Sequence, residues 1–258
     1  MVYSKPMPIK HVVSDWSGTL FRDTDEGKLW AHVGVSALKD STVAKYVPTP
    51  RTVSLALTAL QLKKLTAAYK RGEVGYDKIY ELFNERVLGN IPKDMVELYV
   101  QEYAMKRKTQ EKVDDRLLRS IQEVCGTPES FHILSTGYGY GITQILGIRN
   151  RYLPSRITAN RLIEVGNGSR FNLDIYTADD KRRILEACIK NSPADLSEIL
   201  FIGDSETDEA CMDHMAMMGG KVAVPFFATD EFKERVARDY GALVPDSEQD
   251  FLNFLRKA

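Results

Sequence analysis

The residues of this 258-residue chain that could do chemistry fall in short runs. Ser14-Asp15-Trp16-Ser17-Gly18-Thr19 comes first, then Ser135-Thr136-Gly137, then Asp179-Asp180-Lys181-Arg182, then Gly203-Asp204-Ser205-Glu206-Thr207-Asp208. Taken singly, each has a plain structural reading. Asp15 could cap a turn, Asp204 and Ser205 could N-cap a helix starting near Glu206, and Ser135 could be an ordinary strand-end hydroxyl. Asp208, at i+4, could be a solvated charge, and Lys181, flanked by Arg182 and Arg183, a surface cation. Taken together, they match the needs of phosphoryl transfer through a carboxylate. The attacking carboxylate splits a hard displacement into two easier ones. Its repulsion with the phosphoryl group calls for Mg²⁺ held by further carboxylates, and lysine and hydroxyl donors stabilise the phosphoryl oxygens.

These runs need a scaffold that brings them to one place. Apolar runs too short for helices occur at 9–14, 131–135, 199–203, 221–224 and 241–244, each closed by Gly, Pro, Ser or Asp, and they read as buried parallel strands. Helical stretches lie between the later ones, at 178–190 and 206–217. The alternation predicts an α/β fold with a Rossmann-like parallel sheet, whose ligands sit at the carboxyl ends of the strands. Between the first strand and Phe131 the pattern turns helical, at 52–71, 76–88, 93–106 and 113–125. Ile79, Leu82, Phe83 and Val87 recur at helical spacing, and Pro92 suits a helix start. An α-helical bundle inserted as a cap domain follows. The expected division is a core of 1–21 and 131–258 and a cap of 22–130.

The four runs, in this order, resemble the motifs of the haloacid dehalogenase (HAD) superfamily: Asp15-x-Ser17-Gly18-Thr19, Ser135, Lys181 and Gly203-Asp204-x-x-x-Asp208. The segment Ala159-Asn160-Arg161-Leu162, followed by Gly166, is similar to one in the phosphoserine-phosphatase-like branch, whose members carry a helical cap. The resemblance implies Asp15 as nucleophile, with Asp15, Asp204, the backbone carbonyl of Ser17 and Asp208 as ligands of Mg²⁺. It implies that Ser135 holds a phosphoryl oxygen, that Lys181 bridges the phosphoryl group and Asp15, and that Thr19, Thr136 and Gly137 line the phosphate pocket. The implied activity is that of a Mg²⁺-dependent phosphatase acting on a small phosphorylated metabolite. One position departs from the pattern. Family phosphatases usually carry a second Asp where this chain has Ser17, and a serine hydroxyl cannot serve as general acid and base near neutrality. Three readings follow: a leaving group that needs no acid, a proton from another group, or a long-lived intermediate that passes its phosphoryl group elsewhere. A phosphonatase, suggested by the Asp15-Trp16-Ser17-Gly18-Thr19 string, would need a cap lysine as Schiff base, and Lys63, Lys64, Lys70, Lys78 and Lys93 offer no obvious choice. A binding protein that has lost hydrolysis through Ser17 is the competing class.

Composition bounds these readings. Lys and Arg number 35 against 36 Asp and Glu, a net charge of -1 that gives no footing for a nucleic-acid or membrane-surface partner. Cys125, Cys188 and Cys211 show no zinc or disulfide spacing and read as thiols of a reducing compartment. Residues 1–10 lack the apolar stretch of a signal peptide, so a cytoplasmic protein is expected. Gly137-Tyr138-Gly139-Tyr140-Gly141 fits GxGxxG in neither register, and no GxxxxGK[ST] loop is present. His11, His32, His132 and His214 lack metal spacing, and Met215, Met217 and Met218 read as packing.

Overall fold

The computed structural model describes residues 8–22, 27–39, 64, 67–68, 71, 73, 76–148, 154, 156–172, 174–175 and 177–257. Most of the helix expected over 52–71 lies outside these residues. The described strands are β1 (His11–Ser14), β2 (Phe131–Tyr138), β3 (Arg156–Val165), β4 (Gly168–Asn172), β5 (Ile199–Ile202) and β6 (Lys221–Ala223). They form one sheet in the order β4-β3-β2-β1-β5-β6, parallel throughout except for the antiparallel β3–β4 pair. β1 and β5 are buried at every position, as strands covered on both faces must be. Through β1, β2 and β3 the chain steps to one side, and β5 and β6 fill the other. The order therefore reverses beside β1, where open α/β sheets leave a crevice at the carboxyl ends of their strands.

The described helices are α1 (Gly27–Lys39), α2 (Tyr76–Arg86), α3 (Lys93–Met105), α4 (Arg107–Gln110), α5 (Asp115–Cys125), α6 (Gly139–Gly147), α7 (Ala178–Lys190), α8 (Glu209–Met217), α9 (Asp230–Tyr240) and α10 (Glu248–Lys257). Local chemistry sets several starts. Thr177 and Asp180 make a reciprocal capping box on α7, and the Asp114 carboxylate accepts from the Leu117 N–H at 3.0 Å to cap α5. No described helix is long and apolar enough to cross a membrane.

The chain divides into two compact units. The first comprises Met1–Thr24, Arg107–Asn160 and Asp174–Ala258, and the second Asp25–Lys106 and Arg161–Leu173. This differs from the expected boundaries at two places. Residues 107–130 belong with the sheet, because α5 packs on β1, β2 and α10 and buries Leu117, Leu118 and Ile121. Residues 161–173 belong with the helices. There the second half of β3 turns at Gly166-Asn167 into β4, and Trp30 packs on Phe83 and Phe171 with ring centroids 5.1 and 5.2 Å away. The Asn84 carboxamide closes on the Phe171 backbone, donating to its carbonyl at 3.1 Å and accepting from its N–H at 2.8 Å. The sequence signal for this hairpin is the Gly166-Asn167-Gly168 turn after the β-branched run at 157–165, since 168–172 contains no β-branched residue. Residues 241–244 form no strand, only an isolated bridge from Leu243 to Ala223, and 206–208 is a 3₁₀ turn ahead of α8.

On β2, His132 is buried and shares a 2.9 Å hydrogen bond between its Nε2 and the Thr158 hydroxyl. Burial first, then the charges of Arg156 and His11, push its pKa down to about 4 from 6.5. The unfolded chain thus takes up this proton near pH 6.5 and the folded chain only near 4, so the contribution is complete above 6.5 and is lost as pH falls toward 4. His132→Gln should remove roughly 2–4 kcal/mol of the stability change across that window, read from urea midpoints at several pH values. An unchanged slope would contradict a His132 held neutral.

Candidate active site

β1 ends at the centre of the sheet and hands the chain to Asp15, whose backbone N–H donates to the Ile202 carbonyl of β5 at 2.8 Å. The loop that follows is wound tightly. The Trp16 carbonyl accepts from the N–H groups of Thr19, Leu20 and Phe21 at 3.3, 3.0 and 2.9 Å, and the Trp16 and Phe21 rings stack at 5.4 Å. Ser17 is half-buried on this loop and bridges to Phe21. The loop's far end is pinned by Arg22, whose guanidinium donates to Asp114 at 2.6 and 3.1 Å. Gly18 has φ +80°, and a Cβ there would lie 2.0 Å from Asp204 Oδ2, so the loop passes directly against that carboxylate. Next to it, the Thr19 hydroxyl donates to Asp204 Oδ1 at 2.9 Å.

Lys181, in the first turn of α7, is fully buried. Its ammonium donates to Asp15 Oδ1 at 2.7 Å and to Asp208 Oδ1 at 2.5 Å. The other oxygen of Asp208 accepts from the N–H groups of Asp204 and Ser205 at 3.1 and 3.3 Å and from the Ser205 hydroxyl at 3.3 Å. Asp208 therefore closes the capping box of its own 3₁₀ turn while it holds the lysine. The surface reading of Lys181 and the solvated reading of Asp208 fail, because both side chains are fully buried. Ser205, read only as a cap, is a working part of the cluster. Its cap signature and its bond to Asp208 are one feature.

Asp15, Asp204 and Asp208 place one oxygen each within 4.8 Å of one another, the one such acidic or His/Cys grouping among the described residues. Their electrostatics show what the cluster lacks. Burial above all pushes Asp15 up to about 7, with Lys181 opposing and Asp208 adding to the shift. Burial likewise takes Asp204 to about 8, reinforced by Asp15 and Asp208. For Lys181, burial works to lower the pKa, but Asp15 and Asp208 outweigh it and hold the ammonium above the ordinary lysine range. Buried carboxylates opposed by a single ammonium leave negative charge uncompensated, and a hard divalent cation accepts oxygen donors of this kind. The residues present fit Mg²⁺.

β2 brings the remaining expected residues to the same end of the sheet. It pairs with β1 through Ser14 and Ile133, so Ser135, Thr136 and Gly137 follow at its carboxyl end. Ser135 is buried, and its hydroxyl oxygen accepts from the Gly137 N–H at 3.1 Å. The Gly137–Gly141 run opens α6 after a strand, with no dinucleotide pattern.

In sequence, the chain matches no protein-family model and no curated protein. In structure, it shares the fold of phosphoserine phosphatases and HAD hydrolases. A phosphoserine phosphatase solved as a phospho-aspartyl intermediate analogue aligns with TM-score 0.54 at 17% identity, over 97% of this chain and 99% of that one. A HAD family hydrolase from Salmonella enterica serovar Typhi aligns with TM-score 0.56 at 14% identity, over 90% and 68% of the two chains. A protein of unknown function from Bordetella pertussis Tohama I aligns with TM-score 0.66 at 11% identity, over 93% and 99%. At these identities the likeness is one of fold.

The raised pKa of Asp204 makes a prediction about the metal-free protein. A carboxyl group that ionises near 8 when folded and near 3.8 when unfolded weakens the fold increasingly as pH rises between those values. In the presence of a chelator at pH 8, Asp204→Asn should therefore melt a few degrees above the parent, with the gain shrinking toward pH 5. Added Mg²⁺ should raise the melting temperature of the parent and much less that of the variant. A variant that melts lower at pH 8 would contradict the repulsion.

Proposed function

We propose that this protein is a HAD-type phosphatase that acts on a small phosphorylated metabolite through a phosphorylated Asp15. The observation that carries the proposal is the buried lysine bridging Asp15 and Asp208 at the crevice where the strand order reverses. In the first step an Asp15 carboxylate oxygen bonds to phosphorus, and the ester P–O bond breaks with its electron pair on the departing oxygen. In the second, water attacks the same phosphorus, the bond to Asp15 breaks, and the carboxylate and inorganic phosphate are restored. Lys181 and the Ser135 hydroxyl supply donors for the phosphoryl oxygens, and Thr136 and Gly137 line that pocket. Thr19 keeps Asp204 turned toward the cluster. When bound by Asp15, Asp204, Asp208 and the Ser17 carbonyl, Mg²⁺ supplies the positive charge that lets a phosphate approach a carboxylate. The unit formed by Asp25–Lys106 and Arg161–Leu173 takes the role of a specificity-bearing cap.

Ser17 favours one class of substrate within this reading. Its hydroxyl cannot protonate a departing alkoxide near neutrality, so esters whose leaving oxygen is stable as an anion, aryl and acyl phosphates, react best. The same serine supports the second reading, a HAD-like binding protein, phosphotransferase or phosphonatase in place of a phosphatase. p-Nitrophenyl phosphate separates them, because its leaving group needs no acid. Release of phosphate should depend on Mg²⁺ and fall by roughly 10³-fold or more in Asp15→Asn with the circular dichroism unchanged. Ser17→Asp should raise turnover of alkyl phosphates by roughly 10²–10⁴-fold. Retained turnover in Asp15→Asn would overturn the mechanism, and no release from the parent would favour the second reading.

A further inference from the structure

One buried polar side chain near the site has no place in the steps above. Asn160 is 1% exposed and makes three hydrogen bonds, all to backbone. Its Nδ2 donates to the Thr136 carbonyl at 2.6 Å and to the Ile175 carbonyl at 3.0 Å, and its Oδ1 accepts from the Ile175 N–H at 2.7 Å. The two Ile175 bonds imitate a strand pairing. The Thr136 bond answers a defect in the sheet. Leu134 pairs with Thr158 and Tyr138 with Asn160, so β2 advances by four residues where β3 advances by two. This bulge pushes Ser135, Thr136 and Gly137 out of the ladder, and their backbone groups need partners from elsewhere.

The two segments that Asn160 joins are the ones that carry the phosphoryl donors. Ser135 and Gly137 flank Thr136 on the bulge. Ile175, buried in the core beside Val13, Leu134 and Leu185, sits just ahead of Thr177, the cap of the helix that carries Lys181. Asn160 is also the last residue of the sheet unit before the chain leaves it, and Ile175 comes just after its return at Asp174. No other residue type of similar size both donates twice and accepts once: Asp cannot donate, and Gln carries an extra methylene.

We infer that Asn160 is a positioning residue that fixes the Ser135–Gly137 bulge relative to the Lys181 helix, and thereby the spacing of the groups that bind the phosphoryl oxygens. The inference rests on the proposed phosphatase reading for its catalytic consequence, and not for its structural one. Amide hydrogen exchange and p-nitrophenyl phosphate kinetics of the full chain test it together. The parent is compared with Asn160→Ala, with Asn160→Asp, and with Leu255→Ala, a buried truncation on α10 outside the core cluster that holds Ile175. In Asn160→Ala, exchange at both Gly137 and Ile175 should quicken by roughly tenfold or more; in Asn160→Asp, which still accepts from the Ile175 N–H, exchange at Gly137 should do so; and in both kcat should fall by roughly 10–100-fold with KM changed by less than about threefold. Leu255→Ala should lower the urea midpoint while leaving kcat and these two amides near the parent values.

Should Asn160→Ala fail to fold, Asn160→Asp, which keeps size and acceptor but no donor, carries the comparison. In Asn160→Ala, exchange that quickens at Ile175 alone, or an equal loss of kcat in Leu255→Ala, would overturn the inference. A parent without turnover would defeat the phosphatase reading, while the paired exchange would still decide whether Asn160 joins the two segments.

Discussion

The Lys181 ammonium, buried between Asp15 and Asp208, is the constraint on which the site is built. Removing an ammonium or a carboxylate from water costs several kcal/mol per ion, and only close pairing offsets it. Each partner arrives on a different element: Asp15 from β1, Lys181 from α7 and Asp208 from the turn before α8. Losing Lys181 would leave both carboxylates without their shared cation, and losing either carboxylate would take one of the ammonium's two partners, so strand end, helix and turn are held in mutual register by chemistry and not by packing alone. One ammonium does not neutralise the acid cluster, and this imbalance is what would let the structural joint also hold a divalent cation.

Around this joint the backbone is arranged to let polar groups approach closely. Gly18 and Gly203 lie where a Cβ would strike Asp204 and Asp208, at 2.0 and 2.5 Å from the nearest atoms. Thr19 and Ser205 supply hydroxyl donors from the same loops. On the neighbouring strand the bulge at 135–137 takes backbone groups out of the β3 ladder, where the Ser135 hydroxyl oxygen accepts from the Gly137 N–H and Asn160 donates to the Thr136 carbonyl. The site thus consists of interruptions in regular structure, each satisfied by one side chain.

Much of this was legible in the sequence, and the reasons differ by element. The buried strands showed as short β-branched runs, and α7 was readable to its ends because Thr177 and Asp180 spell a capping box. The convergence of Asp15, Lys181, Asp204 and Asp208 followed from their places at strand and helix ends. What escaped was set by tertiary contacts. The segment 113–125 has a helical pattern that does not say which unit it joins, and its packing on β1 and β2 assigns it to the sheet unit. The β3–β4 hairpin joins the helices through Asn84, Phe171 and Trp30, partners far apart in the chain. Leu243 has strand-like neighbours but finds a single bridge at the sheet edge. The role of Ser205 in holding Asp208 was hidden behind its capping signature.

A phosphoryl group carried by Asp15 can be trapped and located on the chain. The protein is incubated with Mg²⁺ and ³²P-labelled acetyl phosphate, quenched in acid, and its labelled peptide mapped. One label is expected on the peptide bearing Asp15, stable to acid and removed by hydroxylamine as an acyl phosphate must be, and absent from Asp15→Asn. Label on Ser14 or Ser17, or phosphate release with no labelled protein under any quench, would contradict a phosphorylated Asp15.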